Sequence, residues 1–306
     1  MWRKGLALLL VLGAALAAAP AQAATAVDRA VAYLERAQSR DGGFGGAPGS
    51  ASAPTTTAWA AYALAAAGRD AGSLRRPGGA TLADAVVASI PGVRTTGDVE
   101  RTVMALRTVG RDVPADLERE LLERRAADGS FEGQTTLTSF GVFALRAAGH
   151  GPRDPLVAGS AAFVAAQQND DGGFSFARRG GRSGIDDTAA AIEALVAAGR
   201  GPRSGVVRRA VRFLEARQRP DGGFPLMPGG TSNAQSTAWA VQALTAAGRD
   251  VRRLHRRGAR SPLAYLRSLQ AADGSIRYSR TSVQTPVWVT APAVCALLGV
   301  PLPILP

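Results

Sequence analysis

FLEARQRPDGGF, residues 213–224, is written again as YLERAQSRDGGF at 33–44 and FVAAQQNDDGGF at 163–174, with a partial copy, YLRSLQAADGSI, at 265–276. Self-similarity at a fixed period decides an architecture before any local propensity does. The Asp-Gly pair recurs at Asp41, Asp128, Asp171, Asp221 and Asp273, with spacings of 87, 43, 50 and 52 residues. The first spacing is close to two periods, so one turn is missing near residue 90, where Ile90-Pro91-Gly92 stands instead. Six units result.

Each unit opens with a helix whose apolar positions recur at helical spacing, as in Val31, Leu34 and Ala37. It stops at Asp-Gly, where glycine supplies the left-handed conformation that ends helices. A second helix follows, recognisable as TTTAWAAYALAAAG from Thr55, GDVERTVMALRTVG from Gly97, TTLTSFGVFALRAAG from Thr135, DDTAAAIEALVAAG from Asp186, QSTAWAVQALTAAG from Gln235 and QTPVWVTAPAVCALLG from Gln284. Hydroxyl or acidic residues near these starts are expected to act as N-caps. The second helices are apolar nearly all round, whereas the first keep a charged face, as with Arg208, Arg209 and Arg212 beside Val211, Phe213 and Leu214. The fold class expected is therefore all-α, an (α/α)6 toroid with the second helices inside. An open solenoid would need polar capping repeats at its ends, and none is evident.

The repeat resembles that of the terpenoid cyclase and protein prenyltransferase superfamily, particularly the squalene-hopene cyclase type. There an aromatic-aliphatic pair precedes a glutamine and a glycine turn ending in tryptophan. The matching residues are Tyr33-Leu34, Gln38 and Gly42-Gly43-Phe44; Phe163-Val164, Gln168 and Gly172-Gly173-Phe174; Phe213-Leu214, Gln218 and Gly222-Gly223-Phe224; and in part Tyr265-Leu266, Gln270 and Gly274. The terminal tryptophan is replaced by Phe44, Phe174, Phe224 and Ile276. The resemblance implies a toroid over nearly the whole chain after its leader, but the same toroid serves several activities, and fold alone does not fix function.

Gly184-Ile185-Asp186-Asp187-Thr188-Ala189 resembles the cyclase acid motif Asp-x-Asp-Asp-Thr-Ala. The resemblance implies that Asp186 protonates an olefin or epoxide, with Asp187 as its support, although Gly184 stands where the motif's first aspartate belongs. A carboxyl at a helix N-terminus is favoured in its charged form, and with one partner missing Asp186 is expected to be ionised. Aligning the second helices on their Ala-Leu pairs puts Asp186 in register with Thr55, Gly97, Thr136, Gln235 and Trp288, so it is the only acid in its column. Asp187 reads as an ordinary cap residue. Four residues on, the column is Trp59, Arg101, Phe140, Ala190, Trp239 and Pro292; three further on it is Tyr62, Met104, Phe143, Glu193, Gln242 and Cys295. Trp59, Tyr62, Phe140, Phe143, Glu193, Trp239 and Gln242 are thus the candidate ligand-binding residues, with ring-packing core as the bland alternative. The family's cyclases join two helical domains around the active site, and room for only one counts against cyclisation. With one cysteine and two histidines, neither zinc nor another metal is expected, nor any cofactor. Asn169-Asp170-Asp171-Gly172 is a repeat turn lacking the bidentate glutamate of a calcium loop.

The chain opens with Arg3 and Lys4, an apolar stretch from Gly5 to Ala19, then Pro20 and Ala21-Gln22-Ala23, which reads as a cleavable leader over residues 1–23 and an extracytoplasmic, secreted protein. Residues 24–306 are then one toroid domain, expected to be a monomer. The 36 basic residues exceed the 24 acidic ones. That excess is arginine spread through the inter-helix loops, which argues against nucleic acid. Its densest cluster, Arg252, Arg253, His255, Arg256, Arg257 and Arg260, suits an anionic envelope surface or is a solvated loop. Three readings stand: a non-catalytic binder of an isoprenoid or other amphipathic small molecule at the barrel mouth, a terpenoid cyclase or mutase with Asp186 as acid, and an envelope interaction scaffold.

Overall fold

The stripe of the first helices and the apolar circumference of the second are spent on two concentric rings. The computed structural model describes residues 25–255 and 258–305, so the expected leader, with Arg256 and Arg257, lies outside the described residues. The helices alternate outer and inner: α1 (Ala26–Ala37) and α2 (Pro54–Ala66), α3 (Leu82–Ala88) and α4 (Thr96–Thr108), α5 (Ala115–Glu123) and α6 (Thr135–Ala147), α7 (Pro155–Ala166) and α8 (Ile185–Ala197), α9 (Gly205–Glu215) and α10 (Ala234–Ala246), α11 (Pro262–Ser268) and α12 (Pro286–Leu298). Each inner helix packs on the inner helices before and after it, and α12 packs on α2, so the ring closes. One short hairpin, β1 (Phe224–Pro225) against β2 (Ser232–Asn233), spans the loop before α10. Burial follows the two patterns. In α9, Val207, Ala210, Val211, Phe213 and Leu214 are buried while Arg208, Arg209 and Arg212 are exposed; α2 buries every residue from Thr56 to Leu64.

Three polar fixtures repeat with the sequence. The turn aspartate accepts from the backbone two residues on, as Asp221 Oδ1 does from Gly223 N at 3.0 Å, and from a serine hydroxyl, here Ser232 Oγ at 2.8 Å. Gly222 takes φ +92°, and a Cβ on Gly223 would lie 2.6 Å from that of Ser232, so both glycines are required. The repeat glutamine donates both to its own turn and to the next unit's outer layer: Gln38 to Gly42 O and Leu74 O, Gln168 to Gly172 O and Val206 O, Gln218 to Gly222 O and Arg260 O. Gln270 donates to Gly274 O at 3.1 Å and to Ala26 O at 2.7 Å, which ties the sixth unit to the first. Thirdly, a threonine in five of the six inner helices accepts from the backbone N–H of the buried residue ending the turn. The pairs are Phe44 with Thr57, Phe131 with Thr138, Phe174 with Thr188, Phe224 with Thr237 and Ile276 with Thr290, at 2.8–3.0 Å. Unit two has neither the turn aromatic nor the threonine, whose column holds Val99.

The expected N-caps are only partly present. Thr95 and Asn233 cap α4 and α10, but α2, α6 and α8 start after Ala53, Gln134 and Gly184 with no side-chain cap. At α6, α8, α10 and α12 amides of the first turn are met by the loop of the following unit, which drapes across the helix start. Ala177 O accepts from Thr135 N and Phe176 O from Thr136 N; Leu226 O accepts from Ile185 N, Tyr278 O from Ala234 N and Gly46 O from Val287 N. Backbone carbonyls thus do the work assigned to hydroxyls.

At the opposite end the chain turns back under the ring after α12. Leu302 and Ile304 are buried there, Leu302 N donates to Glu193 Oε2 at 2.7 Å, and Thr108 Oγ1 donates to Ile304 O at 3.0 Å. Cys295 is buried and unbridged, and no described helix is long and apolar enough to cross a membrane.

Candidate ligand site at the barrel mouth

The inner helices all start at one end of the barrel, and the draped loops form its rim. Asp186 and Asp187 occupy the first turn of α8. Asp187 is not a cap: its Oδ1 accepts from Thr136 Oγ1 of α6 at 2.8 Å, so it bridges neighbouring inner helices. Its Oδ2 lies against Gly184, where a Cβ would approach to 2.5 Å. The carboxylate of Asp187 therefore occupies the space that the motif's first aspartate would need.

Asp186 retains some contact with solvent, but its Oδ1 is shut off from it and has no hydrogen-bond partner. Burial pushes its carboxyl up from 3.8 to about 7; a hydrogen bond with Ser236 pulls it down, and the charge of Asp187 adds to the rise. The expected ionised Asp186 is thus corrected, because desolvation outweighs the helix dipole at this position. Asp187 is raised too, by burial, against the pull of Thr136. The Tyr278 hydroxyl is raised by burial and by the charge of Asp186.

Below Asp186 the predicted upper column comes together across the axis. Trp59 and Trp239 meet edge to face with centroids 5.5 Å apart, Phe140 and Trp239 at 5.9 Å, and Trp59 meets Trp288 at 6.2 Å. Trp59 and Trp239 are 6 % exposed, and Phe140 and Trp288 are partly exposed, so this layer is the apolar floor of the mouth. Arg101 pairs with Asp98 on its own helix at 3.1 Å. The lower column is sealed: Tyr62, Phe143, Glu193 and Gln242 have no exposed surface. Tyr62 donates to Arg101 O at 3.0 Å, Phe143 stacks edge to face on Phe140 at 5.6 Å, and Glu193 receives the tail. Burial raises the Glu193 carboxyl from 4.5 to about 8, partly offset by the Leu302 amide.

Sequence reasoning missed four mouth residues. Trp288 stands one turn above the column in which the aromatic floor was sought. Phe176, Leu226 and Tyr278 come two residues after Phe174, Phe224 and Ile276, in three consecutive rim loops; Phe176 is 56 % and Leu226 49 % exposed. That shared register is a signal the repeat contains.

No curated protein matches the chain in sequence. Residues 144–285 match the model of the squalene-hopene cyclase C-terminal domain, and residues 7–83 that of the prenyltransferase alpha-alpha toroid domain. Among solved structures, ent-copalyl diphosphate synthase from Streptomyces platensis is 21% identical with a TM-score of 0.52; the likeness covers 80% of this chain but spans only 50% of that one. The type II terpene cyclase MstE from Scytonema is 17% identical with a TM-score of 0.60, over 89% of this chain and 96% of its own. Protein geranylgeranyltransferase-I from Candida albicans, complexed with GGPP, is 12% identical with a TM-score of 0.62, over 89% and 90%. At these identities the likeness is one of fold. It also removes the argument from size, since this chain spans almost the whole of a protein that is a type II terpene cyclase. The six-unit closed ring is an α/α toroid, and its sequence matches the squalene-hopene cyclase C-terminal model over residues 144–285 and the prenyltransferase toroid model over residues 7–83.

Proposed function

We propose that the chain is an exported toroid that binds an isoprenoid or similar amphipathic small molecule at the barrel mouth without transforming it. The observation that carries this reading is the floor of aromatic rings packed on one another, with apolar rim residues around one unpartnered carboxyl oxygen. A carbocation needs aromatic faces turned towards it. Here Trp59, Phe140 and Trp239 pack edge to face against one another, which suits an apolar chain lying over them better than one folded between them. Asp186, with its carboxyl raised to about 7, keeps its proton below neutral pH and there offers a hydrogen bond to a hydroxyl or carbonyl head group. MstE in complex with geranylgeranyl dihydroxybenzoate and the transferase with GGPP lend the ligand class its support.

The test is native mass spectrometry of the mature protein with solvent extraction of what co-purifies, followed by titration with geranylgeraniol read by tryptophan fluorescence. Binding is expected to weaken about tenfold or more in Trp239→Ala, since a buried aromatic contact is worth a few kcal/mol. Absence of both a co-purifying lipid and a titration would sink the reading and leave the Arg-rich surface as the working part. The raised carboxyl of Asp186 supports a second reading, a terpenoid cyclase or mutase in which Asp186 donates the proton. Turnover of squalene or a geranylgeranyl substrate that is abolished in Asp186→Asn would replace the binder with it.

A further inference from the structure

In five units a buried side chain, Phe44, Phe131, Phe174, Phe224 or Ile276, fills the space between the turn and the unit's own inner helix. Phe131 shows where: a Cβ on Gly141 of α6 would come within 2.3 Å of its ring. The residue in the register of Gly141 in unit two is Thr102, and the turn there is Ile90–Gly92 followed by Val93. No aromatic arrives, and a cleft remains between α2, α3 and α4. It has a volume of about 120 Å³, with Val86, Val93, Ala58, Thr102 and Ala105 in its walls and the Asp98–Arg101 pair at one side. Past Pro54, Thr57 and Ser89, which it shares, it continues into a second hollow of about 180 Å³ that reaches the Asp41 turn.

We propose that this cleft is a second small-molecule site, distinct from the mouth, that takes a neutral hydroxylated ring, a phenol or a ring alcohol, in the place that a phenylalanine holds in the sibling units. The cleft together with the adjoining hollow exceeds the roughly 150 Å³ of apolar cavities that hold benzene in proteins, so there is room for one ring. The polar side selects the substituent. A hydroxyl donates to the Asp98 carboxylate and accepts from the Arg101 guanidinium, so it satisfies both members of the pair at once. A carboxylate would meet Arg101 but face Asp98, whose carboxyl is raised by burial but lowered on balance by its hydrogen bonds with Thr95 and Arg101, so that it stays charged. A bare hydrocarbon would leave the pair unengaged. The inference does not depend on the mouth reading, because none of Asp186, Trp59, Phe140 and Trp239, on which that reading rests, lines the cleft.

The experiment is ligand-observed fluorine NMR of the mature protein with 4-fluorophenol, fluorobenzene and 4-fluorobenzoate, together with methyl spectra of the valines. We expect 4-fluorophenol to bind in the millimolar range appropriate to a fragment, at least about threefold tighter than either rival, and to shift the methyls of Val86 and Val93. Val93→Phe, which supplies the missing ring, is expected to abolish binding, and Arg101→Leu to erase the preference for the phenol over fluorobenzene. Should Val93→Phe fail to fold, the wild-type methyl shifts decide. Phenol binding that leaves Val86 and Val93 unmoved, survives Val93→Phe, or is no stronger than that of fluorobenzene overturns the proposal.

Discussion

Thr188 carries one hydroxyl, which accepts from the buried Phe174 amide and donates to Gly184 O. Thr188→Val keeps the shape and leaves that amide without a partner, so a loss of about 1–3 kcal/mol is expected in chemical denaturation. Val99→Thr, where no turn amide awaits, is expected to give no gain. Asp186 makes the other prediction at this scale. Its folded carboxyl is raised from 3.8 to about 7, so between those values the folded state keeps a proton that the unfolded chain has released. Stability linked to Asp186 is then full below about pH 4, falls as pH rises, and is lost above about pH 7. Denaturation midpoints measured across that window should flatten in Asp186→Asn. That Asp186 stands alone in its column is legible in the sequence. Its proton is not, because it is held by burial within the assembled ring, against the pull of Ser236 some 50 residues away in the chain.

Helices and turns were the most legible layer. The 12-residue phrase ending in Asp-Gly fixes an outer helix and its stop, and the apolar circumference of the partner fixes its place inside. What the phrase hides is who completes whom. The amides at the start of α8 look to Leu226 and those of α6 to Phe176 and Ala177, so a hydroxyl near a helix start was mistaken for its cap. The glutamine shows the same dependence between neighbours. Gln270→Ala removes donors to Gly274 O and Ala26 O, and it should cost about 1–3 kcal/mol and raise amide exchange in the first turns of α1. If exchange rises only within residues 270–274, the contact across the seam is not what holds α1.

For the toroid as a whole, the six units followed from counting turns and their closure from the lack of polar capping repeats, while the sealed base followed from neither. Nothing local in Pro301-Leu302-Pro303-Ile304 marks it as a segment that tucks under the ring, since its partners Glu193 and Thr108 are distant in sequence. Glu193 gives that packing a titration. With its folded carboxyl at about 8 against an ordinary 4.5, the stability it contributes is present below about pH 4.5 and is lost as pH rises to about 8. Glu193→Gln should remove that slope, which calorimetry at pH 5 and pH 8 would read; an unchanged slope would mean the tail leaves the base before Glu193 ionises.

The Gln270–Ala26 and Gly46–Val287 bonds also change what kind of object the repeat array is. A linear array frays from its ends, because its first and last repeats each lack a neighbour. A ring has no such ends, so opening must begin in the middle of something, and unit two is where the hoop is thinnest. It lacks the buried turn residue and the threonine that rivet the other five units, and the glutamine that four of them carry. The place where the chain starts and stops in sequence and the place where the protein first gives way are then different places.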